Sequence, residues 1–233
     1  MTVPVRPRSL SERSETKRPG DPADVDLVAW TLIIPVKRFT VGKSRLRGHT
    51  DSHSDRHAAL ARAIALDTIA AAAACSRVER IVVVTDEDLT DHLPSTAVIV
   101  PEGAAAGPNP AVLEGITRLG AASARAALVG DLPALRPADL DEALALAENI
   151  DRTVTPDAAG TGSTLVTARA GVVWESAFGE GSFARHVALG CVPLPIDPGS
   201  TLRRDVDTPD DLAEAGRLGL GTWTRGLRET ARV

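Results

Sequence analysis

The run Leu27-Val28-Ala29-Trp30-Thr31-Leu32-Ile33-Ile34-Pro35-Val36 is apolar at nearly every position. A strand with one face in water alternates apolar and polar residues. A near-continuous apolar run instead belongs to a strand buried on both faces, as in a parallel sheet covered by helices. Working outward, Ser54 to about Ala74 places Leu60, Ile64 and Ile69 at helical spacing among many alanines. Arg80-Ile81-Val82-Val83-Val84-Thr85 is a second buried strand, ended by Asp86-Glu87-Asp88. A short strand at Ala97 to Val100 precedes the loop Pro101 to Pro108, and Asn109-Pro110 has the residue types of a helix N-cap and first helical position. Ala126-Ala127-Leu128-Val129 is a third strong strand, ending at Gly130-Asp131-Leu132-Pro133, and Pro137 to about Glu148 reads as a helix.

This alternation predicts a parallel sheet with right-handed crossovers. Beyond it, Ser163 to Ala168 reads as a strand, Gly181 to Leu189 as a short helix, and Val192-Pro193-Leu194-Pro195 as a short edge strand. Thr208-Pro209-Asp210-Asp211 reads as a capping box opening a final helix. No repeat and no linker interrupts the chain, so residues 27–233 are expected to form one three-layer α/β domain with a mixed sheet.

A net charge of -5 argues against a nucleic-acid surface, which normally carries a basic excess. No apolar run reaches the ~18 residues of a membrane span. Cys75 and Cys191 have no metal-ligand spacing and read as reduced thiols of a cytoplasmic protein. Residues 1–26 are rich in Arg, Ser, Pro and Glu and lack a hydrophobic signal region, so they read as a disordered tail.

In open α/β sheets, ligands gather at the carboxyl ends of the strands. After the first strand stands Lys37-Arg38-Phe39-Thr40-Val41-Gly42-Lys43-Ser44-Arg45-Leu46, whose cations, glycine and hydroxyls suit a nucleoside triphosphate. Its spacing is not that of a Walker A loop, and a solvated basic loop is the competing reading. After the third strand, Asp131 is either a magnesium ligand or a turn-forming aspartate. In Leu202-Arg203-Arg204-Asp205-Val206-Asp207-Thr208-Pro209, the carboxylates at i and i+2 point the same way on an extended segment. They could complete a metal site with Asp131; the competing reading is that one of them helps cap the helix that follows, and the two are compatible, since one can cap while the other binds metal. Gly160-Thr161-Gly162-Ser163-Thr164 offers backbone amides and hydroxyls to an anion, although a plain tight turn looks similar. Phe178-Gly179-Glu180-Gly181-Ser182-Phe183-Ala184-Arg185-His186 sets small residues at a helix start, a second place for an anion. His186 has no Ser or Cys nucleophile motif beside it and reads as a helix-surface or packing histidine rather than a general base.

Taken in order, VK-x5-KSRL, GDLP, D-x2-GTGS, FGxxSxARH and DVDTPxDL resemble the guanylyltransferase family of coenzyme F-420 biosynthesis, whose members act on 2-phospho-L-lactate or phosphoenolpyruvate. The resemblance runs from about Trp30 to about Leu220. It implies a single-domain nucleotidyltransferase fold of the GT-A or Rossmann-like kind. It implies GTP, Mg2+ and a phosphorylated three-carbon acid as ligands, and relatives are often homodimers. Carried over, Lys37, Lys43 and Arg45 hold the triphosphate, Asp131, Asp205 and Asp207 hold magnesium, and Ser163, Gly179 and Ser182 line the acid. The segment Gly107-Pro108-Asn109-Pro110 falls near the guanine. Two rivals remain. One is a non-catalytic nucleotide-binding protein, which should have lost a carboxylate of the set. The other is a molybdopterin nucleotidyltransferase, which opens with a glycine-rich loop where this chain is lysine-rich.

Overall fold

The computed structural model describes residues 28–39, 54–105, 107–119 and 123–230. Lys43, Arg45 and the N-terminal stretch 1–26 lie outside the described residues. Seven strands form one mixed sheet in the order β3-β2-β1-β4-β6-β5-β7. They are β1 (Trp30–Pro35), β2 (Val78–Val84), β3 (Ala97–Val100), β4 (Ala124–Leu128), β5 (Arg152–Pro156), β6 (Ser163–Ala168) and β7 (Val192–Pro193). Strands β1 to β4 pair in parallel. Strand β6 runs antiparallel to both β4 and β5, and β7 adds in parallel at the edge.

The apolar run at β1 is explained by burial on both faces. Leu32 and Ile34 enter one core cluster with residues of α1 (Ser54–Ala73) and α3 (Pro137–Ala147). Ile33 enters a second cluster with Val82, Val84, Ala127 and residues of α2 (Pro108–Leu119). Each such fully buried side chain stabilises the fold by roughly 1.5–3 kcal/mol. Helices therefore cover both faces, giving three layers. The remaining helices are α4 (Ser182–Ala188), α5 (Pro209–Leu218) and α6 (Thr222–Thr230). No described helix is long and apolar enough to cross a membrane.

Three elements depart from expectation. Strand β5 carries no apolar run because Thr153 and Thr155 are buried in it, and Thr153 is matched across the sheet by a threonine: Thr153 Oγ1 and Thr167 Oγ1 are 2.5 Å apart. The helix opened by Thr208 is not the last, since α6 follows it. Its start is capped from α1, where Asp67 accepts the amides of Trp223 (2.9 Å) and Thr224 (2.8 Å). Finally, α2 begins at Pro108, so Asn109 lies inside its first turn and does not cap it.

Candidate active site

Because β1 to β4 are parallel, their carboxyl ends share one edge of the sheet, and Lys37 and Gly130-Asp131 both sit there. The two turns are held close. A Cβ on Gly130 would lie 3.0 Å from the Pro35 carbonyl oxygen and 3.2 Å from Val36 Cγ2, so a side chain here would crowd the approach that glycine leaves open. Lys37 is exposed, as is Arg38, which pairs with Asp86 at 3.0 Å. The neighbouring Glu87 accepts the Phe39 amide at 2.8 Å. The acidic residues that end β2 thus fix the start of the basic loop.

The turn carrying Asp131 is fastened on three sides. Leu132 is fully buried and donates its amide to Thr68 Oγ1 on α1 (2.9 Å). The Pro133 carbonyl accepts from Gly221 N (2.8 Å), and the Asp131 carbonyl accepts from Val206 N (3.0 Å). The last bond sets the Asp205–Asp207 segment alongside Asp131. The cap of α5 is a reciprocal box between Thr208 and Asp211, and Asp211 also accepts the Asp207 amide at 3.1 Å. Among the described residues, no three His, Cys, Asp or Glu side chains converge into a ready-made metal-ligand group.

The hairpin between β5 and β6 lies at the same edge, because β5 runs in the direction of β4. Here the expectation of open amides is corrected. The Asp157 carboxylate accepts from Thr161 N (2.9 Å) and Gly162 N (2.8 Å), and the Asp157 carbonyl accepts from Gly160 N (3.2 Å). An aspartate at the start of a tight turn closes it in this way. Arg203 then donates twice to the Asp157 carbonyl, at 2.9 and 3.2 Å, tying the hairpin to the Asp205 segment.

Ser163, Ser182 and His186 form one buried cluster. Ser163 Oγ lies 3.0 Å from His186 Nδ1, and Ser182 Oγ lies 3.3 Å from Ser163 Oγ. The Ala177 amide donates to His186 Nε2 at 2.8 Å. A backbone N–H can only donate, so Nε2 holds the lone pair and the neutral ring carries its proton on Nδ1. The Ser163 hydroxyl hydrogen therefore points away from His186. Burial first, and the Arg185 guanidinium second, push the His186 pKa down to about 4, against a weaker pull upward from the Ser182 backbone. A fully buried, neutral, doubly engaged imidazole fits the packing alternative and not the helix-surface one. Gly179 stands beside this cluster at a φ of 121°, a conformation other residues rarely adopt. Its carbonyl accepts the Ser182 amide at 3.0 Å, and the Thr161 carbonyl accepts the Phe183 amide at 3.1 Å. Those two amides of α4 are therefore already engaged.

Over residues 30–229 the chain matches the family model described as "Guanylyl transferase CofC like". The chain belongs to this family. It is therefore an enzyme of nucleotidyl transfer. The phosphoenolpyruvate guanylyltransferase of Salinispora arenicola is 47% identical over 206 residues, covering 87% of this chain and 94% of the relative. The enzyme of the same name from Thermomonospora curvata is 43% identical, with 86% and 89% covered. Among solved structures, 4-diphosphocytidyl-2C-methyl-D-erythritol synthase of Anaerococcus prevotii superposes with a TM-score of 0.54 at 11% identity, covering 83% of this chain and 96% of that one. A nucleotidyl transfer enzyme from Methanothermobacter superposes with a TM-score of 0.53 at 15% identity, covering 82% and 97%. These distant likenesses concern the fold alone.

In this CofC-like chain, the structure brings Asp131 next to the Asp205–Asp207 segment and gathers Gly179, Ser163 and Ser182 around His186. The residues that the sequence reading missed are the fasteners. Asn109 accepts the Phe178 amide on Oδ1 (2.7 Å) and donates from Nδ2 to the Phe178 carbonyl (3.0 Å), clamping the segment before Gly179 onto α2. Asp157, Arg203 and Thr68 fasten the other turns. Only Asp157 left a legible signal, an aspartate three residues ahead of a Gly-x-Gly turn. The thiol of Cys75 is pushed up to about 12 by burial and by its hydrogen bond to Asp141, so it serves packing. An open groove of about 400 Å³ between α1 and α6, lined by Leu66, Trp223 and Leu227 among others, shares no residue with the candidate site.

Proposed function

We propose that the protein transfers the GMP unit of GTP to phosphoenolpyruvate in the cytoplasm, giving enolpyruvyl-diphospho-5'-guanosine and pyrophosphate, as a step of coenzyme F-420 biosynthesis. Support comes from the curated relatives named for this activity, which this chain matches over most of its length. The observation that carries the site assignment is the Val206 N to Asp131 O bond, which joins GDLP to DVDTP at the strand ends.

The donor set fits a hard divalent cation. Asp131, Asp205 and Asp207 offer carboxylate oxygens, and magnesium takes one or two carboxylates together with phosphate oxygens and water. A triad closed by protein alone is not required, because the nucleotide completes the shell. When bound there, magnesium neutralises charge on the triphosphate.

An oxygen of the acceptor phosphate forms a bond to the α-phosphorus of GTP while the α–β bridging bond breaks and pyrophosphate leaves. The acceptor oxygen is already ionised, so no general base is needed. Catalysis is then positioning and charge stabilisation. Lys37, with Lys43 and Arg45, stabilises the leaving pyrophosphate. The Ser163 hydroxyl, its hydrogen turned from His186, donates to the acid, and Ser182 and the Gly179 backbone line the same pocket.

The test measures pyrophosphate release from GTP and magnesium with phosphoenolpyruvate, 2-phospholactate or 3-phosphoglycerate in separate reactions, with a downstream acceptor trapping the product. Release is expected with phosphoenolpyruvate, to stop on chelation and to return with magnesium. Asp131→Asn should lower turnover at least ~100-fold, on the scale of losing a key electrostatic group, with the thermal midpoint kept. Near-normal turnover in that variant refutes the metal assignment.

A further inference from the structure

The pocket assigned above to the acid contains hydroxyls and backbone but no positive charge. The acid carries two anionic groups. Its phosphate must face the α-phosphorus and the metal, which leaves the carboxylate to be recognised by something else. A carboxylate removed from bulk water is held best by a guanidinium, which offers two parallel N–H donors to its two oxygens.

Arg185 stands where such a group is needed. Its Nη2 lies 3.2 Å from the position a Cβ on Gly179 would take, so the guanidinium passes over the Gly179 backbone. The same charge acts on the His186 ring and helps to depress its pKa. Arg185 follows Ser182 by three positions on α4, a spacing that sets side chains on one side of a helix. The side chain is exposed, and among the described residues no hydrogen bond or ion pair of its guanidinium is found. The close approach to Gly179 and the helical spacing from Ser182 therefore put one uncommitted cation at the Gly179 backbone that lines the acid pocket.

Resting on the guanylyltransferase reading, we propose that Arg185 binds the carboxylate of the phosphorylated acid and sets the enzyme's preference for acceptors that carry one. Glycine at position 179 then has two reasons. Its φ of 121° disfavours other residues, and a side chain there would crowd the guanidinium that the acid needs.

The experiment compares phosphoenolpyruvate with vinyl phosphate, the same enol phosphate without the carboxyl group, in wild type, Arg185→Gln and Arg185→Lys. Wild type should favour phosphoenolpyruvate in kcat/KM by about 10–100-fold, the scale of a hydrogen-bonded charge pair. In Arg185→Gln that preference should collapse. The kcat/KM for phosphoenolpyruvate should fall by about the same factor, while the vinyl phosphate value and the KM for GTP stay within about twofold. Arg185→Lys, which keeps the charge but loses the fork, should fall between. An equal loss for both acceptors, or an undiminished preference, overturns the role of Arg185 and leaves the guanylyltransferase reading standing. If wild type uses 2-phospholactate or 3-phosphoglycerate instead, the same comparison is made with the analogue lacking its carboxyl group. Release with no acid overturns the acceptor assignment and this inference together.

Discussion

Asn109→Ala tests whether the segment before Gly179 is held by the clamp seen on α2. The alanine removes two hydrogen bonds, one received from the Phe178 amide at 2.7 Å and one given to the Phe178 carbonyl at 3.0 Å. Each contributes roughly 0.5–1.5 kcal/mol net, so their joint loss is about 2 kcal/mol. Both are only partly buried, so water can reach the freed groups and the upper end does not apply. In a domain of this size 1 kcal/mol moves the thermal midpoint by about 2–4 °C, giving a fall of about 4–8 °C. Phe178 still packs in two apolar clusters and against the His186 ring, so the variant should remain folded. With the segment loosened, the KM for the acid should rise more than kcat falls. Asn109→Asp keeps the acceptor but turns a second oxygen toward the Phe178 carbonyl, so it should not restore stability. Differential scanning calorimetry with steady-state kinetics reads both effects. A midpoint within about 1 °C of wild type for Asn109→Ala, or full stability in Asn109→Asp, refutes the argument.

Gly221→Ala should destabilise by at least ~2 kcal/mol, since its Cβ would lie 2.2 Å from Asp67 Oδ1 and expel the carboxylate that caps α6. Urea unfolding measures the loss, and KM values of the folded variant should be unchanged; a wild-type midpoint would contradict the tertiary cap. The pH dependence of stability should carry the signature of His186. The unfolded chain binds a proton near 6.5 and the folded one only near 4, so the unfolded state holds more protons between these values. This contribution is complete above about pH 6.5 and is lost as the pH falls toward 4. The difference in thermal midpoint between wild type and His186→Gln should therefore shrink from pH 7 to pH 4.5, and a constant difference would speak against a buried neutral ring.

The strands of the parallel half were legible because burial on both faces writes itself as an apolar run. Their carboxyl ends were legible as one shared edge because parallel pairing places all of them together. Strand β5 was hidden because buried threonines, Thr153 and Thr155, replace aliphatic residues there. Helix α6 was hidden because its cap comes from Asp67, 156 residues before Trp223, and no local pattern records it. Asn109 had the residue type of a cap, but α2 starts one residue earlier and the amide is used across the fold. The candidate carboxylates were legible as types at strand ends, whereas their alignment depends on one backbone bond between Val206 and Asp131.

The hydrogen bonds at this edge also explain how a chain of net charge -5 can present a site to a triphosphate and a phosphorylated acid. Much of the negative charge near the site is turned inward onto backbone amides. Glu87 accepts from Phe39, Asp86 from Glu102, Asp157 from Thr161 and Gly162, and Asp211 from Asp207 and Thr208. A carboxylate saturated by N–H donors presents less of its charge to an incoming anion and fixes the loop that donates to it. Net charge is therefore a poor guide to what this edge can bind. The acidic residues that end β2 fasten the start of the loop that carries the exposed Lys37.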